Sequence, residues 1–384
     1  MDAKVVLADC ADYELERVYA AVRQCLEPLG GMSAFVRPGQ RVLLQVNLIS
    51  PRPAEDAVCT HPSLVQATCR LVQEVGGLPS VGGSAGGPAH RTRRALAVSG
   101  IADAAASVGA EVLDYSEVGG QDVQVAGALM STLHIARPVL ETDVLVTLPK
   151  LKTHTLTLLT CAVKNHLGTL PGPRKAELHR RFPDPEQFGE ALLDVYVAAQ
   201  PHLAIVDGVQ GMDGDGPTAG RVRQVGLVAA SADGVALDAV MCAVCGLDPR
   251  WVPTLLAARR RGTGTASLDR IEVVGVQLEA ARARLRPFAY PITYRLLGHS
   301  WVPQGLRHLF AKHVGGYAKP HVVASKCNGC QTCVKSCPEQ TIAVVGKRAR
   351  IDQRRCISCF CCHELCPEQA IEFELPLMWR LVRF

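Results

Sequence analysis

Eight cysteines near the carboxyl end carry the clearest chemistry in the sequence. Cys327, Cys330, Cys333 and Cys337 stand at C-x2-C-x2-C-x3-C with Pro338 next, and Cys356, Cys359, Cys362 and Cys366 repeat the spacing with Pro367 next. Three closely spaced thiolates wrap one corner of an iron–sulfur cubane, and a fourth on the same short loop would be strained. The last cysteine of each run therefore serves the other cubane. The spacing predicts two [4Fe–4S] clusters, one on Cys327, Cys330, Cys333 and Cys366, the other on Cys356, Cys359, Cys362 and Cys337. Zinc is the competing explanation, but it favours C-x2-C pairs separated by a longer loop. Ile371 follows the second run as Ile342 follows the first, so the segment reads as an internal duplication with a small hairpin between its halves. Cys361 falls between ligands and is expected to be a free thiol.

A second constellation follows the run Asp143–Leu148. Lys150, Lys152, His154, Thr157, Thr160, Lys164, Asn165 and His166 lie in one otherwise apolar stretch read as helical after its first residues, and Lys175 and His179 come next. Lysines at the end of a strand hold phosphate or carboxylate as point charges, and threonines add donors. Histidines exchange protons near neutral pH. Lys150, Lys164, His154 and His166 are the catalytic candidates, with Lys152 and Asn165 as binding residues. The alternative is a solvated basic loop. A metal on His154, His166 and His179 matches no established spacing. After the run Leu203–Asp207, alternating Gly and Asp (Gly211 to Gly216) reads as a loop in which Asp207, Asp213 and Asp215 orient the lysines or hold a hard cation.

Weaker signals surround these. The glycines from Gly82 to Gly87 match no phosphate-binding fingerprint. Asn47 and His61 could face the same cleft or act as local caps. Cys242 and Cys245 lie on one apolar helical face and read as core.

The elements that must position these residues alternate. Strand-like runs at Lys4–Ala8, Arg41–Leu48, Glu111–Tyr115, Asp143–Leu148, Leu203–Asp207 and Ile271–Gly275 are separated by helical patterns at Glu14–Leu29, Pro62–Val75, Arg94–Val108, Pro185–Ala199 and Ala236–Gly246. This predicts an α/β domain over 1–286 with a mainly parallel sheet and flanking helices, whose ligands bind beyond the strands' carboxyl ends. A connector over 287–317, a small α+β ferredoxin-like domain over 318–375 and an apolar, basic tail over 376–384 complete the expected organisation.

Composition sets the bounds. A chain of 384 residues, 48% hydrophobic and 20% charged, can bury a sizeable core. A net charge of +5 without a basic stripe interleaved with aromatics argues against nucleic acid. No run of about twenty apolar residues is free of charge, and the first residues carry acids, so a soluble cytoplasmic protein without a membrane span is expected. From residue 320 onward, nine Lys or Arg stand against six Asp or Glu, which suits an acidic, ferredoxin-like electron donor or acceptor.

The segments PKLKTHTLTLLTCAVKNHLG, IVDGVQGMDGDGPTAG and VNLISP…THP resemble the family of unknown function numbered 362, many of whose members carry the same C-terminal cysteine module. The resemblance covers nearly the whole chain. It implies functional positions at Lys150, Lys152, His154, Lys164, Asn165, Gly168, Asp207 and residues 214–217, while Gln45 stands where the pattern calls for a lysine. It supports two domains and a cleft and supplies no reaction. Two readings follow: a ferredoxin-fused reductase that passes single electrons to an anionic small molecule, or an electron carrier or cofactor-assembly protein whose large domain binds a partner and does no chemistry.

Overall fold

In the central strands, nearly every residue is apolar and buried. Strand β2 (Arg41–Val46) hides all but its first residue, and β7 (Val144–Leu148) hides all five. Strands buried on both faces belong to a parallel sheet covered by helices on each side. The structure, a computed structural model, describes residues 2–88, 90–291, 294 and 318–374 and has that arrangement. Val42, Leu44, Val144 and Val146 face one core with helices Leu15–Leu26 and Pro62–Glu74, while Leu43 and Leu145 face another with helix Pro185–Ala199. The alternation follows from the two-residue period of a strand.

The main sheet is mixed and mostly parallel. With β1 (Ala3–Asp9), β3 (Leu78–Gly83), β4 (Glu111–Asp114), β10 (Leu203–Asp213), β11 (Arg221–Ser231) and β12 (Ile271–Gly275), its order is β12-β1-β11-β10-β7-β2-β3-β4. β7, β2, β3 and β4 run parallel, β11 runs antiparallel to both neighbours, and β5 (Gly120–Gln124) pairs with β6 (Thr132–Ala136) in a separate hairpin. Helix Gly234–Val244 buries every residue against the β1–β11–β10 side, so Cys242 lies in the core; Cys245 follows its last turn and is buried there too.

Three stretches differ from the sequence expectation. The chain after Asp207 is no loop: β10 runs on to Asp213 and forms a long hairpin with β11. The stretch after Pro149, expected to turn helical after His154, is a hairpin of β8 (Lys150–His154) and β9 (Leu158–Thr160) before a short helix at Ala162–Asn165. Its periodicity was compatible with both, and pairing of β8 with the extended β10 decides for strand. The helix expected over Arg94–Val108 is two, His90–Val98 and Ile101–Ala106, broken at Gly100 with φ 75°. Gly216, beyond β10, has no room for a side chain, since a Cβ would stand 2.3 Å from the Thr153 carbonyl oxygen.

The cysteine segment forms its own small body. β13 (Lys319–Val322) pairs with β16 (Ile371–Glu374), and β14 (Ile342–Val345) with β15 (Arg348–Ile351). Short helices at Thr332–Ser336 and Cys361–Leu365 carry the cysteines. The duplication is visible in the backbone: Gly329 and Ser358, Gln331 and Phe360, and Gln340 and Gln369 all take positive φ at matching places in the two halves. Most of the expected connector and the C-terminal tail lie outside the described residues, but Phe288 packs in the large-domain core and the Ala289 N–H bonds to Asp213 at 3.1 Å.

One interaction under the sheet end has a measurable weight. Lys150 and Asp207 are both fully buried, with Nζ 2.9 Å from Oδ2. Asp207→Ala leaves a buried cation without its partner, and we expect a loss of about 3–5 kcal/mol in urea unfolding. The double variant Lys150→Met/Asp207→Leu should recover most of it. An Asp207→Ala protein as stable as the parent would show that this pair does not hold the fold.

Candidate functional site

The cysteines converge as two sets. One small void is lined by Cys327, Cys330, Cys333 and Cys366, and a second by Cys337, Cys356, Cys359 and Cys362. Backbone N–H groups already point at the sulfurs: Ala349 donates to Cys327 and Ala370 to Cys366 at 3.3 Å, and Thr341 to Cys337 and Ser358 to Cys356 at 3.4 Å. Such donors stabilise charged sulfur and set cluster potential. None of the sixteen cysteines is in a disulfide. The donor set therefore fits [4Fe–4S] chemistry. Among the described residues, no three His, Cys, Asp or Glu side chains gather closely enough for a single metal ion, His154, His166 and His179 included.

The lysine stretch folds into a buried polar network beneath the carboxyl ends of the parallel strands. Lys150 donates to Tyr13 at 2.6 Å and to Asp207, whose carboxylate also accepts from the Tyr13 hydroxyl at 2.6 Å and the His61 N–H at 2.8 Å. His61 caps helix Pro62–Glu74 and stacks on Tyr13. Lys152 donates to Asn47 Oδ1 at 2.8 Å and to the Val58 carbonyl at 2.6 Å, and burial drops its pKa from 10.5 to about 7. Asn165 accepts from Asn47 Nδ2 at 3.1 Å and donates to the Gln45 carbonyl and Thr147 Oγ1. This lattice ties β2, β7 and β8 to helix Ala162–Asn165 and so fixes the neighbouring Lys164. Gln45 is buried, accepts from the Tyr115 hydroxyl at 2.8 Å and lies against Gly168.

Above the network is a cavity of about 480 Å³. It lies beyond the carboxyl ends of β2, β3 and β4, which contribute Asn47, Gly86 and Tyr115 to its lining, in the crevice where open α/β sheets bind ligands. The cysteine module closes the opposite wall through Lys335, Ser336, Cys361, Glu364 and Leu365, which belong to its two helices. The two bodies also meet where Arg91 donates to the Leu365 carbonyl at 3.3 Å and Gln369 to the Thr218 carbonyl at 3.4 Å. Gly86 faces Leu365 so closely that a Cβ would stand 2.7 Å from its Cδ2.

Glu364 carries another contact between the bodies. Its Oε1 stands 3.1 Å from His154 Nε2, close but not aligned as a hydrogen bond. His154 Nδ1 accepts from the Leu156 and Thr157 N–H groups, so a neutral ring carries its proton on Nε2, toward the carboxylate. Burial pushes the Glu364 pKa up, but His154, Lys164 and His179 outweigh it and hold the carboxyl below its usual range.

Of the sequence-predicted residues, Lys164 and Asn165 line the cavity; Lys150, Lys152, His154, His166, Asp207, Asp213 and Asp215 do not. His166 is buried with neither ring nitrogen bonded. Asp213 is an anchor for the hairpin, bonded to Arg221 at 3.1 Å and paired with Arg223. Asp215 lies in the turn that follows β10. Lys175, Arg174 and His179 line the cavity as well, and Lys175 donates to Ser84 and to the Ala85 carbonyl. Sequence reasoning missed Tyr13, Tyr115, Arg91 and Glu364. A signal for Glu364 existed: the duplication places an acid there where the first half has Lys335.

The buried imidazoles make stability pH-dependent. Burial lowers His154 from 6.5 to about 4, and His166 and His179 to about 3. Between pH 6.5 and those values the unfolded chain binds protons that the folded chain does not. Stability should therefore fall as pH falls through that window, by up to about 1.4 kcal/mol per pH unit for each ring. Urea unfolding between about pH 7 and about pH 5 should show the slope, and His166→Phe should flatten it. An unchanged slope in that variant would remove His166 from the explanation.

Comparison with known proteins places this geometry in a lineage. Residues 42–243 match the model of a domain of unknown function, DUF362, and residues 319–367 match a 4Fe-4S dicluster domain. The "Thylakoid-associated protein sll1697" of Synechocystis sp. is 38% identical over 272 residues, covering 70% of this chain and 83% of its own. Among solved structures, the lactate racemase apoprotein from Thermoanaerobacterium thermosaccharolyticum aligns at 13% identity with a TM-score of 0.38, over 60% of this chain and 55% of that one. A Thermotoga maritima protein aligns at 12% identity with a TM-score of 0.29, over 55% of each chain. Among the described residues no helix is long and apolar enough to cross a membrane. The chain belongs to the DUF362 family and carries a C-terminal 4Fe-4S dicluster domain of the kind that transfers electrons.

Proposed function

We propose that this chain is an iron–sulfur oxidoreductase. Two [4Fe–4S] clusters, on the two cysteine sets described above, pass single electrons to an anionic small molecule held in the cavity. The observation that carries this reading is the composition of the cavity wall: both cluster-bearing helices form one side, and Lys164, Arg174 and Lys175 stand on the other. A ligand there lies beside the electron source and opposite positive charge that stabilises the charge added on reduction. Lys164 is the leading group, since it is 8% exposed, lines the cavity and interacts with Glu364 of the cysteine module. Proton delivery falls to Lys164 and His179, which reach the cavity, with His154 acting behind them through Glu364. The buried network of Lys150, Lys152 and Asp207 positions the site.

Electrons enter most easily at the cluster held by Cys330, the exposed ligand. Lys326, Lys347 and Arg348 are exposed around it, and that charge suits an acidic, ferredoxin-like donor whose reaction weakens with salt.

Oxygen-free reconstitution should load about eight iron atoms per chain. Photoreduced protein should then be reoxidised by some member of a pool of small organic acids and phosphate esters. Lys164→Met should slow that step by roughly 10- to 100-fold, the worth of one hydrogen bond from a charged group. No reoxidation by any pool, or equal rates in the variant, would overturn the assignment; reoxidation only by a protein fraction would favour an electron carrier instead.

A further inference from the structure

Three polar side chains that line the cavity are nine-tenths or more buried and each leaves one polar atom without a hydrogen bond. Thr160 Oγ1, His179 Nδ1 and Ser336 Oγ make no hydrogen bond, with their residues 2%, 3% and 5% exposed, and Lys164, 8% exposed, lines the same cavity. Buried polar groups are nearly always satisfied, so a cluster of orphans at one cavity marks where a ligand or ordered water completes the set. Thr160, Lys164 and His179 lie on the large-domain side of that cavity: Thr160 ends β9, Lys164 sits on the next helix, and His179 on helix Arg174–Arg181, where it stacks on Phe188. All three can donate: a hydroxyl, an ammonium and an imidazole N–H.

We propose that Thr160, Lys164 and His179 form a carboxylate-recognition subsite, and that the cavity takes an organic acid with an apolar body. This deepens the reading of the cavity as the substrate site and rests on it. Charge supports an anion: Lys164, Arg174, Lys175 and Lys335 line the cavity against Glu364 alone among its Asp and Glu residues. Glu364 is engaged with His154 and offsets only one of these cations. The rest of the lining argues for carboxylate over inorganic phosphate. Leu48, Ile49, Leu167, Pro171, Ala176 and Leu365 form apolar walls that an ion of phosphate's size would leave uncovered. Lysine is a point charge that takes carboxylate or phosphate alike, so the preference rests on the apolar walls, and the hydroxyl and ring N–H supply the fixed directions. The cavity volume of about 480 Å³ accommodates a body well beyond acetate.

The test is direct binding to cluster-loaded protein with oxidised clusters, by calorimetry, with benzoate, hexanoate, acetate and inorganic phosphate as probes. Benzoate and hexanoate should bind at least tenfold more tightly than acetate or phosphate. Thr160→Val and His179→Phe should each weaken benzoate by about 5- to 10-fold, and Lys164→Met by about 10- to 100-fold. His166→Phe, buried but off the cavity, should leave the affinity unchanged and so controls for general loosening. Phosphate binding as tightly as benzoate, or variants that bind benzoate like the parent, would overturn the subsite. Benzoate that binds as expected yet does not slow reoxidation of the reduced protein would sink the oxidoreductase reading while the subsite stands.

Discussion

A lysine taken out of water must find a partner, lose its proton or wait for a ligand, and three lysines at the end of one sheet meet that demand in three ways. Lys150 has a carboxylate, Asp207, in direct contact. Burial still pushes its pKa down, with Asp207 pulling the other way. Lys152 has only neutral acceptors, an amide oxygen and a carbonyl, and its pKa falls to about 7. Lys164 lines the cavity, and burial lowers its pKa while Glu364 of the other body opposes the shift. The first two solutions are complete within the large domain. The third is not, which is why the geometry singles out Lys164 for a ligand.

That incompleteness also explains how the two bodies fit. The cysteine module is built by duplication, with matching positive-φ positions and matching N–H to sulfur bonds in its halves. A symmetric pair of helices would present two similar faces to the cavity. Instead one carries Lys335 and the other Glu364, and only the acid reaches the buried histidines and Lys164. A cation at that place would add like charge to a low-dielectric corner, at a cost several times that on the surface. The asymmetry therefore fixes which half of the duplication faces which part of the large domain.

Much of this was legible in the sequence, for physical reasons that differ by region. The 4Fe-4S domain announces itself because a cubane demands thiolates at fixed short spacings. The parallel sheet showed because strands buried on both faces are apolar at every position, as in Val144–Leu148. Lys150, Lys152, Lys164 and Asn165 stood out as a group because polar residues in an apolar run need a reason. Their division of labour was hidden, because it depends on the hairpin of β8 and β9 and on pairing with β10, both long-range. The same run of leucines and threonines satisfies helix and strand patterns alike. Tyr13, Arg91 and Glu364 were invisible for a related reason: each acts on residues far away in the chain.

Linking the cavity to the clusters has a thermodynamic consequence. On the proposed assignment, each electron added to a cluster would add negative charge behind the wall that holds Cys361 and Glu364. Lys164, on the facing wall, responds to that charge and to a bound carboxylate together. If an anion is in place, its charge offsets part of the lysine's, and reduction of the near cluster becomes less favourable; if reduction comes first, the lysine is held more firmly in its charged form. Coupling of this kind is reciprocal, so whatever the ligand does to the cluster's affinity for an electron, the electron does to the affinity for the ligand. An acid that accepted electrons and left in a less charged or differently shaped form would lift that penalty at each turnover. The same lysine would then serve binding, reduction and release without any movement of the fold.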